Sequence, residues 1–178
     1  LEAACREGSS CVFGGGISPG YVQCVAPISL SNLARRIDSI VVEEFVDFHD
    51  VAESPELIGN MLGFGRTLED VTNNKHPHYD EMMPKFFNQT VALTADALLL
   101  DYDAIADDIQ YFVSPGGGEI ASLKIPPGCV GGARSTFKAM KNGEPRITVV
   151  LNWACTYDLG EGWFGESEIS NSTQWRVT

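Results

Sequence analysis

The second half of the chain consists of extended segments separated by breaks rich in glycine and proline. The breaks are Pro115-Gly116-Gly117-Gly118, Pro126-Pro127-Gly128 and Lys141-Asn142-Gly143. Asn142-Gly143 is the strongest hairpin signal in the sequence, because both residues tolerate the positive φ angles of a two-residue turn. The segments between the breaks predict strands at 109–113, 119–125, 130–140, 146–157 and 174–178. A chain with this pattern must build a sheet.

A further strand is predicted at 40–48 from its β-branched and aromatic residues. Its apolar residues fall on both faces, which is typical of a central strand covered on both sides. Glu43 and Glu44 are best interpreted as solvated strand ends, with a cleft or a paired site as the other possibility. Asp47, at the C-terminal end of the strand, is the better candidate for a cleft wall. We expect an α+β fold with one mixed, mostly antiparallel sheet and helices on one face.

Three helices are predicted before the strands of the second half. The first begins at Ser18-Pro19, with Ser18 as N-cap, and runs to residue 37, and Pro27 should either kink it or split it in two. A short helix is expected at 54–62. The longest is expected at 80–106, because apolar positions step by three and four along one stripe, namely Phe87, Val91, Thr94, Leu98, Tyr102 and Ile105.

The segment Gly14-Gly15-Gly16-Ile17-Ser18-Pro19-Gly20-Tyr21 joins a short apolar strand, 11–13, to the first helix. Its glycines let a ligand or a neighbouring segment approach the backbone closely, and the helix N-terminus presents free N–H groups there. A tight connection without any ligand explains the glycines equally well. The segment is not a Rossmann phosphate loop, because Pro19 stands where the third glycine belongs.

Charge and cysteine content exclude several classes of partner. The net charge is −12 and no basic cluster occurs, so we expect neither nucleic acid nor a membrane as partner. The five cysteines are odd in number and form no C-x-x-C pair, which favours reduced thiols and a cytoplasmic location. His76 and His78 have no third ligand at metal spacing, so no metal site is expected.

The first third of the chain resembles the C-terminal half of the dihydrodipicolinate-reductase-like dehydrogenases. The closer likeness is to the branch containing 2,4-diaminopentanoate dehydrogenase and the native amine dehydrogenases. The glycine segment 14–21 is similar to that branch's G-x-G-I-N-P-G-(aromatic) motif, and Ser54-Pro55-Glu56 and Gly63-Phe64-Gly65 to its S-P-E and G-F-G motifs. Ser18 replaces the usual Asn, which shortens or removes a side-chain contact to the cofactor carboxamide. The paired histidines of true dihydrodipicolinate reductases are absent around Val46-Asp47, which speaks against lysine biosynthesis.

This resemblance implies an NAD(P)-dependent oxidoreductase acting on C–N bonds, by reductive amination of a carbonyl compound or oxidative deamination of an amine. Residues 1–13 would be the tail of an upstream dinucleotide-binding domain, which would also hold the catalytic carboxylate, and 14–178 a substrate-binding and dimerisation domain. A non-catalytic binding or dimerisation domain, or a dihydrodipicolinate-reductase-like reductase of another imine, is the alternative.

The site residues implied by the resemblance fall into two groups. Gly16, Ile17 and Ser18 would bind the cofactor, NADP or NAD. The pocket for a small carbonyl or amine substrate would be lined by Tyr21, Phe45, Phe48, His49, Leu57, Met82 and Met83. Ordinary core packing explains Phe45 and Leu57 nearly as well.

The sequence also predicts self-association. The strands after residue 109 should leave one broad sheet face that no helix covers. Trp153, Tyr157 and Trp175 lie on those strands, and aromatic residues are enriched at interface cores. We expect a symmetric homodimer formed sheet to sheet by residues 109–157. An upstream domain folded over this face would bury the same aromatics within one subunit.

Overall fold

The computed structural model describes residues 1–12, 15–48, 59, 61–74, 81–120, 123–163 and 173–178. Its helices are α1 (Glu2–Glu7), α2 (Ile17–Val25), α3 (Ala26–Ser31), α4 (Leu68–Asn73) and α5 (Met83–Ala97). Its strands are β1 (Ile40–Asp47), β2 (Ala104–Ser114), β3 (Gly118–Ile120), β4 (Leu123–Ile125), β5 (Cys129–Lys141), β6 (Glu144–Ala154) and β7 (Gln174–Val177). Over these ranges, no helix is long and apolar enough to cross a membrane. Most of the helix predicted at 54–62 lies outside the described residues.

A five-stranded sheet in the order β2-β5-β6-β1-β7 forms the centre of the molecule. β1 runs parallel to β6, and every other neighbouring pair in this sheet is antiparallel. The strands β3 and β4 form a separate two-stranded ladder. The predicted α+β fold with a mixed, mostly antiparallel sheet is confirmed.

The hairpin between β5 and β6 turns at the predicted residues. Asn142 has φ 52° and Gly143 has φ 84°, and Lys141 pairs with Glu144 across the turn. Both central residues are in the left-handed region, as the favoured two-residue hairpin turn requires. The signal at Asn142-Gly143 therefore sets the register of the longest antiparallel pair after β2–β5.

Helices α2 and α5 pack against one face of the sheet. Phe87 of α5 stacks on Phe137 of β5, with ring centroids 5.0 Å apart. Val91 of α5 and Val42 and Phe137 of the sheet are fully buried between the two layers. Burying each such side chain contributes about 1.5–3 kcal/mol, so this face holds the core.

The long predicted helix is wrong in its second half. α5 ends at Ala97, and Leu99, with φ 55°, reverses the chain. The Leu99 and Leu100 N–H groups donate to the carbonyls of Asp96 and Ala95, at 3.1 and 2.9 Å. This is the Schellman arrangement, which usually uses glycine at the left-handed position. Beyond α5, Leu98 caps the helix, Tyr102 lies in the connection and Ile105 lies in β2.

The first predicted helix is also corrected. α2 winds as a π-helix, in which the Tyr21 N–H donates to the Gly16 carbonyl at 2.8 Å. Ser18 is extended, with φ −122° and ψ 128°, as steric contact with Pro19 favours. It caps no backbone group, because its hydroxyl oxygen instead accepts from the Gln23 side chain.

The end of that helix also differs from the prediction. Pro27 lies in the first turn of α3, where its missing N–H costs little. Ser31 Oγ and Asn32 Nδ2 donate to backbone carbonyls at the end of α3, at 2.6 and 3.2 Å. Such bonds compete with helix continuation, so residues 33–37 lie outside the helix. At the other end of the segment, Cys11 and Val12 are exposed and belong to no strand, contrary to the prediction for 11–13.

We predict that the Cys155 thiol is inert in the folded protein. Burial raises its pKa from the ordinary 9.0 to about 12, and its Sγ donates to the Gly131 carbonyl at 3.2 Å. Because the folded-state pKa is the higher one, the thiol's contribution to stability is complete below the unfolded-state value and is lost as the pH rises toward the folded-state value. At pH 8, iodoacetamide should modify the exposed Cys11 and spare Cys155 until denaturant is added. Peptide mass spectrometry showing equal rates at both thiols would contradict this.

Candidate ligand-binding site at the glycine turn

Glu44 is a buried acidic residue in the middle of β1. Its side chain faces α2, and the residue is 2% exposed. Trp153 Nε1 donates to Oε1 at 2.8 Å, while Gln23 Nε2 and Trp175 Nε1 donate to Oε2 at 2.8 and 2.7 Å. An indole N–H can only donate, so this environment suits an ionised carboxylate, to which hydrogen bonds are strongest. In the described part of the chain, no Lys or Arg pairs with it.

The prediction of a solvated strand end is therefore wrong for Glu44. Glu43 lies on the opposite face and pairs with Arg176 at 2.6 Å, where the Arg176 side chain is 57% exposed. The two neighbours differ because successive side chains of a strand point to opposite faces. Glu44 is buried because α2 covers the face of the sheet on which it lies.

Gln23 connects Glu44 to the glycine turn. It is fully buried in α2, and its Nε2 donates both to Glu44 Oε2 and to Ser18 Oγ, at 2.8 and 3.0 Å. Thr94 Oγ1 of α5 lies 3.2 Å from the Gln23 backbone carbonyl and 2.9 Å from that of Thr90, and its one hydrogen serves these two acceptors. Exchanging the amide oxygen and nitrogen would place Oε1 against the carboxylate, so the network sets the amide orientation. No pattern in the sequence identified Gln23, since its partners are distant in the chain.

The polar network continues through the sheet to its other face. Asn152 of β6 donates to the Glu44 backbone carbonyl at 3.3 Å and accepts from Arg134 Nε at 2.8 Å. The Arg134 guanidinium lies over the Phe112 and Trp163 rings, 5.2 and 5.5 Å from their centroids. Its burial lowers the pKa of Arg134. Both faces of the sheet thus contribute polar groups to the backbone and side chain of Glu44.

An apolar cleft of about 400 Å³ lies beside the turn, between α2 and α5. Gly16 and Tyr21 line it on one side and Thr90 and Leu93 of α5 on the other. A Cβ built on Gly16 meets no atom within 4 Å, and the φ of 175° at Gly16 is extended backbone open to any residue. Neither conformation nor packing within the described chain therefore requires glycine at position 16. The bare backbone there is accessible to a group from outside.

The predicted site residues do not converge on one pocket. Gly16 and Tyr21 share the cleft, and Ile17 and Ser18 follow directly along the turn. Phe45 lies on the opposite face of the sheet, buried beneath Arg176 at 5.5 Å.

The other predicted substrate-binding residues lie in the core or outside the described chain. Phe48 is buried edge-on against Trp153, with centroids 5.6 Å apart. Met83 is buried and Met82 is half-buried at the start of α5. His49 and Leu57, like His76 and His78, lie outside the described residues. Asp47, the predicted cleft wall, accepts from the Tyr157 hydroxyl at 2.5 Å.

The placement of the tryptophans on an uncovered sheet face is wrong. Trp175 pairs in register with Glu44, and Trp153 with Val46, so both lie on the face that carries Glu44 and α2. Their indole N–H groups are used by the Glu44 carboxylate. The homodimer itself stays a prediction, without these two residues as its core.

Comparisons with known proteins bear on this arrangement. No protein-family model matches the chain. It is 24% identical over 148 residues to an amine dehydrogenase from Streptomyces virginiae, covering 83% of this chain and 40% of that protein. Its fold matches an amine dehydrogenase from Mycobacterium smegmatis with a TM-score of 0.58 at 14% identity, over 89% of this chain and 46% of that one. The chain thus spans less than half the length of either relative. In sequence and in fold, it resembles a domain of amine dehydrogenases.

Proposed function

We propose that this chain is the substrate-binding part of an NAD(P)-dependent oxidoreductase acting on C–N bonds, in the branch that contains 2,4-diaminopentanoate dehydrogenase and the native amine dehydrogenases. The observation that carries the proposal is the open backbone at Gly16, beside an apolar cleft, in a chain similar to amine dehydrogenases. Within the described chain, nothing occupies the space that a side chain at position 16 would take. A ligand that lies against this backbone would explain the glycine.

The residues at the turn fit a nicotinamide ring. A flat, partly apolar group can lie against the Gly16 backbone, with the Tyr21 side chain and Leu93 as neighbouring apolar walls. Gly16, Ile17 and Ser18 would hold it, and NADP or NAD would supply the hydride. The contribution of these residues is to orient the reacting carbon and to exclude water.

The greater lengths of the relatives support placing the rest of the enzyme outside this chain. The catalytic carboxylate and the dinucleotide-binding domain would lie in sequence that this chain does not contain, with residues 1–13 as the tail of that domain. The buried Glu44 is not proposed as that carboxylate, because three donors already surround it and it is 2% exposed. A cytoplasmic homodimer acting on a small carbonyl or amine substrate completes the proposal.

A non-catalytic binding or dimerisation domain is the competing proposal. It is favoured by the exposed apolar side chains around the cleft, since Tyr21, Val25 and Leu93 are 58%, 47% and 58% exposed. Large apolar patches mark surfaces that another domain or chain covers. In that case the cleft would be a docking surface without chemistry.

The experiment that separates the two measures cofactor binding and turnover. The protein expressed from its complete reading frame should oxidise NADH or NADPH in the presence of ammonia and a panel of aldehydes and ketones. Residues 1–178 alone should bind either dinucleotide weakly or not at all, because they contain no phosphate loop. Absence of binding and of turnover in the complete protein would leave the docking domain as the better proposal. Micromolar affinity of the 1–178 chain for either dinucleotide would contradict the expectation that an upstream domain is needed to bind it.

A further inference from the structure

We propose that Gln23 and Glu44 are positioning residues that hold the Ser18 hydroxyl as a hydrogen-bond donor toward a dinucleotide at the glycine turn. The inference rests on the proposed function. It assigns a role in ligand binding to two buried residues, neither of which lines the cleft.

The Ser18 hydroxyl provides the donor in this arrangement. A serine oxygen can donate one hydrogen bond and accept others. Ser18 Oγ already accepts a hydrogen bond from Gln23 Nε2 at 3.0 Å. Because the amide hydrogen lies between these two atoms, the hydroxyl hydrogen of Ser18 cannot lie there as well. The Ser18 hydrogen therefore points away from Gln23. Ser18 is exposed and lies between Gly16 and Pro19, which line the cleft, although Ser18 itself does not line it; its hydrogen is therefore available to an acceptor oxygen of a ligand that reaches the edge of the cleft.

The Gln23 amide is held in one orientation by its neighbours. Its Oε1 is buried and has no hydrogen-bond partner among the described residues. An unpaired buried acceptor is costly, so the orientation is imposed by the contacts of the amide nitrogen. The stronger of these goes to the carboxylate of Glu44, at 2.8 Å.

Glu44 is held in turn by two tryptophans. Trp153 and Trp175 come from β6 and β7, the two strands on either side of β1. Trp153 is half-buried and packs edge-on against Phe48, while Trp175 is 37% exposed. Their N–H groups hold the Glu44 carboxylate from the neighbouring strands, and a path of hydrogen bonds then runs from the sheet through Glu44 and Gln23 to the hydroxyl of Ser18. The dinucleotide atom that would meet this hydroxyl is an acceptor oxygen.

The test is a fluorescence titration of the complete protein with NADPH and with NADH. Ser18→Ala should raise the Kd about tenfold, the loss expected for one hydrogen bond, and Ser18→Thr should retain the wild-type value. Gln23→Met should raise the Kd about fivefold in the wild-type background and leave it unchanged in the Ser18→Ala background, because both act through one hydroxyl. If Gln23→Met does not fold, Gln23→Asn, whose amide is too short to reach Ser18, serves instead.

Thr94→Val is the matched control. It removes the hydroxyl that bonds the Thr90 and Gln23 backbone carbonyls and leaves the side-chain path to Ser18 in place. It should lower the thermal midpoint and leave the Kd unchanged. A Kd that follows the thermal midpoint across all variants would assign Gln23 a purely structural role and overturn the inference. The same holds for Ser18→Ala protein that binds like wild type. Wild-type protein that binds neither dinucleotide would overturn the proposed function and, with it, this inference.

Discussion

Glu44→Gln is expected to lower the free energy of unfolding by about 3 kcal/mol. The substitution preserves size and shape but replaces one acceptor oxygen by an N–H₂ group. That group would face the N–H donors of Trp153 or those of Gln23 and Trp175. Each donor left unpaired in the core costs about 1–3 kcal/mol. The change is measured by urea unfolding followed by far-UV circular dichroism, which does not depend on the fluorescence of the two indoles.

Glu43→Gln provides the control one residue away. The same chemical change there removes an ion pair whose Arg176 partner is 57% exposed, and such surface pairs contribute about 0–1 kcal/mol. Similar losses for the two substitutions would show that Glu44 is solvated and that its burial beneath α2 is incorrect.

Gly16→Val is expected to lower turnover of the complete protein about 100-fold or more, because displacing a bound substrate by about 1 Å can cost that much. The valine side chain would project into the space beside the cleft, where the described chain places no atom within 4 Å of the Cβ. For the same reason, the unfolding midpoint should not change. Steady-state kinetics and thermal unfolding on one preparation separate the two effects.

Gly116→Val is the matched control for this second substitution. Gly116 is exposed, and a Cβ there meets only Asp158 Oδ2 at 3.6 Å, an ordinary contact. Its turnover should equal that of wild type. Full activity in Gly16→Val protein would place the ligand away from the glycine turn and remove the observation on which the proposed function depends.

Local sequence signals predicted much of the architecture. The turn at Asn142-Gly143 needs two residues that tolerate positive φ, and its sequence provides them directly. The β-branched run at 40–47 became β1 for a similarly local reason. The end of α5 was not predictable in this way, because Leu99 carries the left-handed conformation that the pattern reserves for glycine.

The sequence by itself predicted the α+β class, the strands β1, β5, β6 and β7 and the turn between β5 and β6, because these depend on residues within a few positions of one another. Only the tertiary structure decided that Glu44 is buried and not solvated. Its donors come from Gln23, Trp153 and Trp175, which are 21, 109 and 131 residues away in the chain. Whether a glutamate in a strand is solvated or buried depends on strand register and on which helix covers that face. Such long-range contacts produce no periodic pattern in the sequence. The hydrogen-bond path from the sheet to Ser18 therefore became visible only in the tertiary structure.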